Sequence, residues 1–449
     1  MSSEWPTISL GDCIELDTGF PFKSAEYTDS EDAVRLLRGD NIAQGQLRWD
    51  GVKRWARKEG DALWAYELRK NDLVLAMDRP WIAAGLKFAK VRDSDLPALL
   101  VQRVARLRPK SGINVDYLHS VVSSPDFTLH IQNVTTGTAV PHISGKQIQE
   151  YKFALPDLVT QRSVGKLLMS LDDRITLLRE TNATLEAIAQ ALFKSWFVDF
   201  APVRAKQEGR APEGMDETTA ALFPDSFVES ELGLVPKGWR LVPFGQLLSH
   251  TIGGDWGSDE PDDKNDTRVA IIRGTDIPDL QIGTKSRIPV RYTSSKKLLT
   301  RKLAHGDIVL EVSGGSKDQP TGRALYLTDG MLDQFDCAVE PASFCRLLRP
   351  NSLSLGILLA QHLKYIYSQG KTWEYQNQST GIANFQTIHF LETELVAVPS
   401  EQVLTEFEKI VRPMIDRSHL TQMQSLAELR DTLLPRLISG QLRLPETAL

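Results

Sequence analysis

The chain carries one order of short motifs twice, about 235 residues apart, and this repeat constrains its fold more than any other feature. "LLRGDNIAQGQL" (36–47) aligns with "IIRGTDIPDLQI" (271–282), and "LRKNDLVLAM" (68–77) aligns with "LAHGDIVLEV" (303–312). Further along, each copy has a Thr-Gly turn, then a polar stretch, then an apolar run closed by proline. A period this long is not that of a solenoid. The sequence therefore predicts two tandem copies of one domain.

Each copy mixes strand and helix patterns. Short β-rich runs bounded by Gly, Asp or Pro predict strands, namely "DLVLAM", "DIVLEV", "YKFALP" and "LVAVP". Apolar residues at helical spacing predict a helix over 114–124 and another over 355–369. The expected fold class is α+β.

A long helical pattern follows each copy, over 158–200 and from 401 to about 439. The first has an apolar seam in steps of four and three, with one polar position, which is typical of a coiled coil. We expect the two helices to pair antiparallel, with Pro435 kinking the end of the second. The residues predicted to pair are Leu171, Ile175, Leu178, Asn182, Leu185, Leu192, Leu426, Leu429 and Leu433.

The formal net charge is −6, but basic residues are concentrated in matching places of the two copies. Residues 35–110 hold 17 Lys and Arg against 9 Asp and Glu, and residues 268–305 hold 9 against 2. Two such blocks favour a polyanionic partner. Solvated strand and turn faces are the alternative for either block alone.

Several classes of protein are disfavoured. The three cysteines show neither a disulfide framework nor metal-ligand spacing, so no metal site is predicted. The first residues do not resemble a secretion signal, and no apolar run reaches membrane-spanning length, so we expect a cytoplasmic protein without a membrane partner. The chain has no GxGxxG motif, no amino-methylation motif and no complete P-loop, so neither catalytic residues nor a cofactor are predicted in it.

One enzymatic alternative stays open. Asp126, Glu150 and Lys152 follow the order of a PD…ExK nuclease site, in which two carboxylates hold Mg²⁺ near a lysine. The pattern is short, and the second copy lacks the lysine.

Three segments resemble the specificity subunits of type I restriction-modification systems. Residues 158–203 are similar to the central conserved region of these subunits, 222–239 to the lead into their second domain, and 426–444 to their C-terminal conserved region. The resemblance implies two target recognition domains, at 1–157 and 239–400, each reading one half of a split DNA site. It also implies a central conserved helix over 158–200, a linker over 201–238 and a C-terminal conserved helix over 401–449.

The resemblance further implies partners. Double-stranded DNA, two methyltransferase (modification) subunits and a restriction endonuclease/translocase subunit are expected, with S-adenosylmethionine, ATP and Mg²⁺ bound by the partner subunits. The chain itself is expected to be a non-catalytic reader of DNA.

Candidate DNA contacts are the basic, amide and hydroxyl side chains near the repeated turns, with glycines that let a phosphate approach the backbone. In the first copy they are Lys23, Arg38, Arg79, Thr136, Gly137, Thr138, His142 and Lys146. In the second copy they are Arg273, Ser313, Gly314, Lys317, Gln378, Thr380, Asn384 and Gln386. Because both copies keep Arg38 and Arg273, a structural role is the alternative for this pair.

Overall fold

The computed structural model describes residues 5–58, 61–82, 85–137, 140–230, 233–283, 288–316, 319–379, 382–419 and 421–444. The chain forms two compact units. Unit 1 comprises residues 1–174 and 426–449, and unit 2 comprises residues 175–425. Of the candidate DNA contacts, Thr138, Lys317 and Thr380 lie outside the described residues.

Unit 1 contains the first copy. Its strands are β1 (Thr7–Ser9), β2 (Ile14–Thr18), β3 (Val34–Leu37), β4 (Ile42–Ala43), β5 (Gln46–Leu47), β6 (Arg54–Trp55), β7 (Leu73–Ala76), β8 (Trp81–Ile82), β9 (Gly85–Leu86), β10 (Phe88–Lys90), β11 (Ala98–Leu100), β12 (Val104–Pro109) and β13 (Lys152–Ala154). Its short helices are α1 (Leu10–Cys13), α2 (Val115–Val122), α3 (Pro125–Val134) and α4 (Gly145–Gln149), and the long helix α5 (Leu158–Phe193) begins in this unit.

Unit 2 contains the second copy. Its strands are β14 (Phe227–Ser230), β15 (Gly233–Pro236), β16 (Arg240–Pro243), β17 (Leu248–Gly253), β18 (Thr267–Ile272), β19 (Val290–Thr293), β20 (Ile308–Glu311), β21 (Ser313–Gly314), β22 (Ala324–Tyr326), β23 (Ala338–Pro341), β24 (Cys345–Pro350), β25 (Gln376–Ser379), β26 (Ile382–Phe385) and β27 (Leu395–Val398). Its helices are α6 (Ala201–Gln207), α7 (Glu217–Ala221), α8 (Ile277–Gln281), α9 (Ser295–Arg301), α10 (Asp329–Leu332), α11 (Leu353–Ser368), α12 (Thr387–Thr393) and α13 (Glu401–Ser418), and α14 (Gln422–Ile438) begins in this unit.

The main sheets of the two units match strand for strand. Unit 1 has an antiparallel sheet in the order β10-β7-β12-β2, and unit 2 has the corresponding order β22-β20-β24-β17. A second sheet, β11-β3-β6, corresponds to β23-β18-β19, and in each the first pair of strands is parallel. The terminal strands also pair in both units, β1 with β13 and β16 with β27. The fold is α+β and contains the repeated domain that the sequence predicts.

Buried apolar residues form the core of each unit. In unit 1, Leu73 and Leu107 of the four-stranded sheet pack with Tyr117 and Leu118 of α2. The predicted helices over 114–124 and 355–369 are present as α2 and α11. Asp126 lies in the first turn of α3. The predicted linker over 201–238 contains α6, α7 and the β14–β15 hairpin, and its apolar residues join the core of unit 2.

Within unit 1, α5 packs antiparallel to α14. Leu168 lies in one apolar cluster with Leu434. Further along α5, Asp172 accepts a hydrogen bond at 2.8 Å from Arg430, which lies earlier on α14. Residue numbers rise along one helix while those of their partners fall along the other, which is the order that antiparallel helices give.

Within unit 2, α5 packs antiparallel to α13. Asn182 Nδ2 donates a hydrogen bond at 3.0 Å to the carbonyl of Ser418, the last residue of α13. Beyond the end of α5, the ring centroids of Phe197 and Phe407 lie 4.7 Å apart. The helical path continues from α5 through a wider turn at Lys194–Val198.

The predicted seam of α5 faces inward. Ile175 and Asn182 are buried, and the other predicted positions on this helix are partly buried: Leu171, Leu178, Leu185 and Leu192. On α14, Leu426 and Leu433 are partly buried, but Leu429 is 47% exposed. Leu429 therefore does not lie in a buried seam of this chain, and the buried apolar residues of α14 include Met423, Leu434 and Leu437.

The second long helix is not continuous, contrary to the sequence-based expectation. Helix α13 ends at Ser418 and α14 begins at Gln422. The buried His419 lies between them, with Nδ1 3.3 Å from the hydroxyl of Thr328. Burial lowers the pKa of His419 to about 4, so the imidazole is neutral at pH 7. These tertiary contacts override a helical pattern that periodicity alone would extend.

Candidate nucleic-acid interface

One buried ion pair supports the same turn in both units. Asp72 follows Asn71, which has a φ of +70°, and its carboxylate accepts hydrogen bonds from Arg108 Nε and Nη2, each at 2.7 Å. The same carboxylate accepts a bond from the backbone N–H of Arg69 at 2.7 Å, which closes the turn before β7. The repeated Asp of the two aligned motifs is therefore a structural residue.

Unit 2 repeats this arrangement with Gly306, whose φ is +88°, in the left-handed position. Asp307 accepts two hydrogen bonds from Arg349, each at 2.7 Å, and one from the backbone N–H of Ala304 at 2.7 Å. Both Asp side chains are 2% exposed. The shared turn orients strands β7 and β20, which lead to the candidate DNA contacts.

The repeated arginines Arg38 and Arg273 have different surroundings. Arg273 donates two hydrogen bonds to the buried carboxylate of Asp276, at 2.9 and 2.8 Å, so it supports the turn after β18. Arg38 is 41% exposed and pairs at 3.1 Å with Asp40, which is 82% exposed. The structural alternative therefore applies to Arg273, whereas Arg38 is available at the surface.

Arg38 lines a recess in unit 1, which we call the basic recess. Its basic side chains are Arg38, Arg79, Lys87 and Arg103, and its volume is about 280 Å³. Asp40 and Asp78 also line it. Within the described residues, neither Arg79 nor Lys87 has an ion pair, so the recess has uncompensated positive charge.

The backbone of Asp78, which lines the basic recess, pairs with the backbone of His142. His142 Nδ1 donates to Asp78 Oδ1 at 2.5 Å, and Asp78 Oδ2 lies 3.7 Å from Arg103 Nε. The backbones of Thr136 and His142 exchange two hydrogen bonds, at 3.0 and 2.8 Å. Arg79 has a φ of +45°, and its N–H donates to the Pro141 carbonyl at 2.7 Å.

Two of the predicted contacts, Arg38 and Arg79, line the recess. Two more lie next to it, because His142 is bridged to Asp78 and Thr136 to His142, and Gly137, with a φ of +89°, follows Thr136. The other two described contacts of the first copy lie elsewhere. Lys23 precedes the turn Ser24–Glu26, and the exposed Lys146 of α4 lies 3.8 Å from Glu150. Lys87 and Arg103 also line the recess, but they lie outside the repeated motifs, so no signal in the sequence distinguishes them.

Unit 2 has different side chains at the corresponding wall. Ser313 of β21 pairs with Asn384 of β26, and its hydroxyl donates to Asn384 Oδ1 at 2.5 Å. Gly314 pairs with Ala383 in the same ladder. The remaining described candidates lie nearby in sequence: Gln378 in β25, and Gln386 at the start of α12, where its backbone N–H donates to the Tyr375 carbonyl at 2.7 Å.

Among the described residues, no ion pair joins the nuclease-like residues Asp126, Glu150 and Lys152 to one another. Glu150 ends α4 and faces Lys146, while Lys152 lies exposed on β13. Across the part of the chain that the structure describes, no group of three or more His, Cys, Asp or Glu side chains is placed to hold a metal ion. Nor does any described helix combine the length and apolar character needed to cross a membrane.

Comparison with known proteins finds similarity to one family. Residues 2–187 match the model of the type I restriction modification DNA specificity domain. The type I restriction enzyme HindI specificity subunit of Haemophilus influenzae is 26% identical over 98% of this chain and all of that protein. The chain is therefore similar to type I specificity subunits, over nearly its whole length in the case of the HindI subunit. This confirms the resemblance seen in the sequence, and the family is a family of non-catalytic DNA-recognition subunits.

Two further comparisons agree with this assignment. The EcoAI specificity subunit of Escherichia coli is 32% identical over 171 residues, which are 38% of this chain and 28% of that protein. The solved S subunit of the type I restriction-modification system from M. genitalium has the same fold, with a TM-score of 0.56 at 13% identity. That comparison covers 97% of this chain and 96% of the other.

Proposed function

We propose that this specificity subunit reads a bipartite DNA site, one half with each copy of the repeated domain. The reading domains are residues 1–157 and 239–400. The observation that supports this proposal is the contrast between the two copies. They keep the buried Asp-Arg pair that fixes the turn, but they differ at the neighbouring surface, where Asp78 and His142 correspond to Ser313 and Asn384. A constant scaffold with variable polar side chains is what two readers of different sequences require.

The chain is further proposed to dock two methyltransferase subunits and a restriction subunit through its long helices, and to act in the cytoplasm. S-adenosylmethionine, ATP and Mg²⁺ would then act in the partner subunits. The exposed side of the helices supports this docking role: Leu177 and Ile188 of α5 are 62% and 41% exposed, and Leu429 of α14 is 47% exposed.

A domain exchange tests the bipartite site. Residues 239–400 are replaced with the corresponding domain of a related specificity subunit, and methylated adenines are mapped in host DNA with and without the gene. One half of the methylated sequence should change while the other half is kept. If both halves change together, the two copies do not read independently.

The nuclease alternative has a separate test. The purified chain is incubated with DNA and Mg²⁺, alone and as the Glu150→Ala variant. We expect no cleavage by either protein, because Glu150 faces Lys146 and Lys152 lies exposed on β13. Cleavage by the wild-type chain that is lost in the variant would support the alternative.

A further inference from the structure

Lys87 of unit 1 and Arg323 of unit 2 occupy equivalent positions in the two copies of the domain. In unit 1 the N–H of Ala76 donates to the carbonyl of Lys87, at 3.0 Å. In unit 2 the N–H of Glu311 donates to the carbonyl of Arg323, at 2.8 Å. Since β7 corresponds to β20 and β10 to β22, Ala76 takes the place of Glu311 and Lys87 that of Arg323.

The cation in unit 2 is neutralised. Arg323 Nε lies 2.8 Å from Glu311 Oε2, and Arg323 Nη2 bonds the other carboxylate oxygen. Glu311 is 1% exposed, and a Cβ added to Gly274 would lie only 2.6 Å from its Oε1. This closed pair leaves no charge for a ligand.

The cation in unit 1 has no such partner. Lys87 is 9% exposed, and in the described part of the chain no carboxylate lies within 4 Å of its Nζ. Burial lowers the pKa of this ammonium group, although Asp40 and Asp78 partly oppose the shift. A partly desolvated ammonium without a partner is unfavourable, so its position at the basic recess calls for an anion. Its Nζ lies beside Gly39, 3.9 Å from where a Cβ would be.

We propose that the basic recess of unit 1 binds one backbone phosphate of DNA through Lys87, with Arg79 at its rim, and that unit 2 has no equivalent phosphate site. This inference rests on the proposed role in DNA reading. Base edges lie at the bottom of a groove and are reached by projecting side chains, whereas phosphates are the outermost groups of the duplex. A recessed lysine is therefore placed to receive a phosphate. Such a contact positions the duplex on unit 1 without selecting its sequence.

Two variants of the full chain test this site. Lys87→Met removes the charge and places a thioether where the desolvated ammonium lay, so folding should be kept. Ala76→Glu with Lys87→Arg introduces the closed pair of unit 2 into unit 1. Lys70→Met is the matched control, because Lys70 is 59% exposed, pairs with Asp93 and lies outside the recess.

The measurement is the dissociation constant for a fluorescent DNA duplex of random sequence and for one carrying the methylated site, as a function of salt. We expect both recess variants to weaken binding to both duplexes on the order of tenfold. The slope of the logarithm of the binding constant against the logarithm of the salt concentration should fall in magnitude by about 1. The DNA sequence that the assembled complex methylates should not change. The control should keep the wild-type slope.

The outcomes separate the two proposals. If the wild-type chain and its assembled complex bind neither duplex, the proposed function fails. If they bind but both recess variants keep the wild-type slope, the phosphate site is wrong while DNA reading stands. If Lys87→Met changes the methylated sequence at one position, Lys87 reads a base and the phosphate assignment is overturned.

Discussion

The guanidinium of Arg349 spans both carboxylate oxygens of Asp307, with Nε and Nη2 each 2.7 Å from an oxygen. Arg349→Met would leave a carboxylate that is 2% exposed without its cation. Removing one partner of a buried pair costs about 3–5 kcal/mol. We expect a loss of that order in the stability of unit 2, seen as faster hydrogen exchange at the amides of β20 and β24.

Arg268→Met is the control for this prediction. It removes an ion pair with Asp336 at 2.8 Å, in which the side chains are 48% and 72% exposed. Exposed pairs contribute about 0–1 kcal/mol. Equal effects of the two substitutions would show that Arg349 does not act through its buried partner.

The buried carboxyl group of Glu340 should make the stability of unit 2 depend on pH. The Glu340 side chain is fully buried on β23. Among the described residues, neither of its carboxylate oxygens accepts a hydrogen bond. The hydroxyl of Thr293 donates to Asp255 instead. Burial, together with the charge of Asp255, raises the pKa of Glu340 from 4.5 to about 7. The folded state therefore binds a proton that the unfolded state has lost between these two pH values, and stability falls as the pH rises from about 4.5 to about 7.

Leu99 occupies the corresponding position in unit 1, which suggests the test. Glu340→Leu should abolish this pH dependence and stabilise unit 2 at pH 8 by roughly 3 kcal/mol, the equivalent of a pKa shift of about 2.5 units. Urea unfolding of both proteins at pH 5 and pH 8 measures the difference. A variant that is no more stable than wild type at pH 8 would contradict the predicted cost of the buried carboxylate.

Glu394 and Glu150 each follow the last residue of a short helix, α12 and α4, but their surroundings are opposite. Glu394 is 1% exposed and accepts hydrogen bonds from His362 at 2.8 Å and Tyr375 at 2.5 Å, with Lys371 at 2.6 Å. Burial alone would raise the pKa of Glu394, but the bonds and charge of His362, with those of Lys371 and Tyr375, hold it at about 2. The stability that this carboxylate contributes is present above about pH 4.5 and is lost as the pH falls through about 2.

Glu394→Gln should therefore destabilise unit 2 at pH 7 by about 1–3 kcal/mol, because an amide nitrogen replaces one carboxylate oxygen and cannot accept a hydrogen bond. Glu150→Gln is the matched substitution in unit 1, where the side chain is 57% exposed and 3.8 Å from Lys146. Its effect on thermal unfolding should stay within about 0.5 kcal/mol. A large effect at Glu150 would require a role that its exposed position does not explain.

The hydrogen bond from Asn182 of α5 to Ser418 should stabilise the end of α13. The Asn182 amide donates to the carbonyl of Ser418, which lies at the end of α13 where no further helical N–H is available. Asn182→Leu would leave this buried carbonyl unpaired, at a cost of about 1–3 kcal/mol. Leu177→Ala, at a position that is 62% exposed, is the control and should cost much less. If Asn182→Leu is stabilising, apolar packing outweighs the hydrogen bond at this position.

Local signals predicted the parts of the fold that depend on local chemistry. The repeated Asp after a left-handed residue marked the turns at Asp72 and Asp307, and proline closed the strands that were expected. The break after Ser418 could not be predicted, because it depends on contacts with Asn182 and Thr328, which are far away in sequence. The same holds for the basic recess: nothing local distinguishes Lys87 from a surface lysine until the sheet register places Ala76 beside it.

The separation between the buried Asp-Arg pairs and the surface beside them has a consequence for evolution. Residues that hold each copy together, such as Asp307 and Arg349, are not the ones that differ at the rim, such as Ser313 and Asn384. Substitutions at the rim can accumulate with little effect on folding, since surface changes usually alter stability by less than about 0.5 kcal/mol. If each copy reads DNA as proposed, a lineage can thus change what one copy recognises in few mutational steps, while selection on the scaffold stays the same in both.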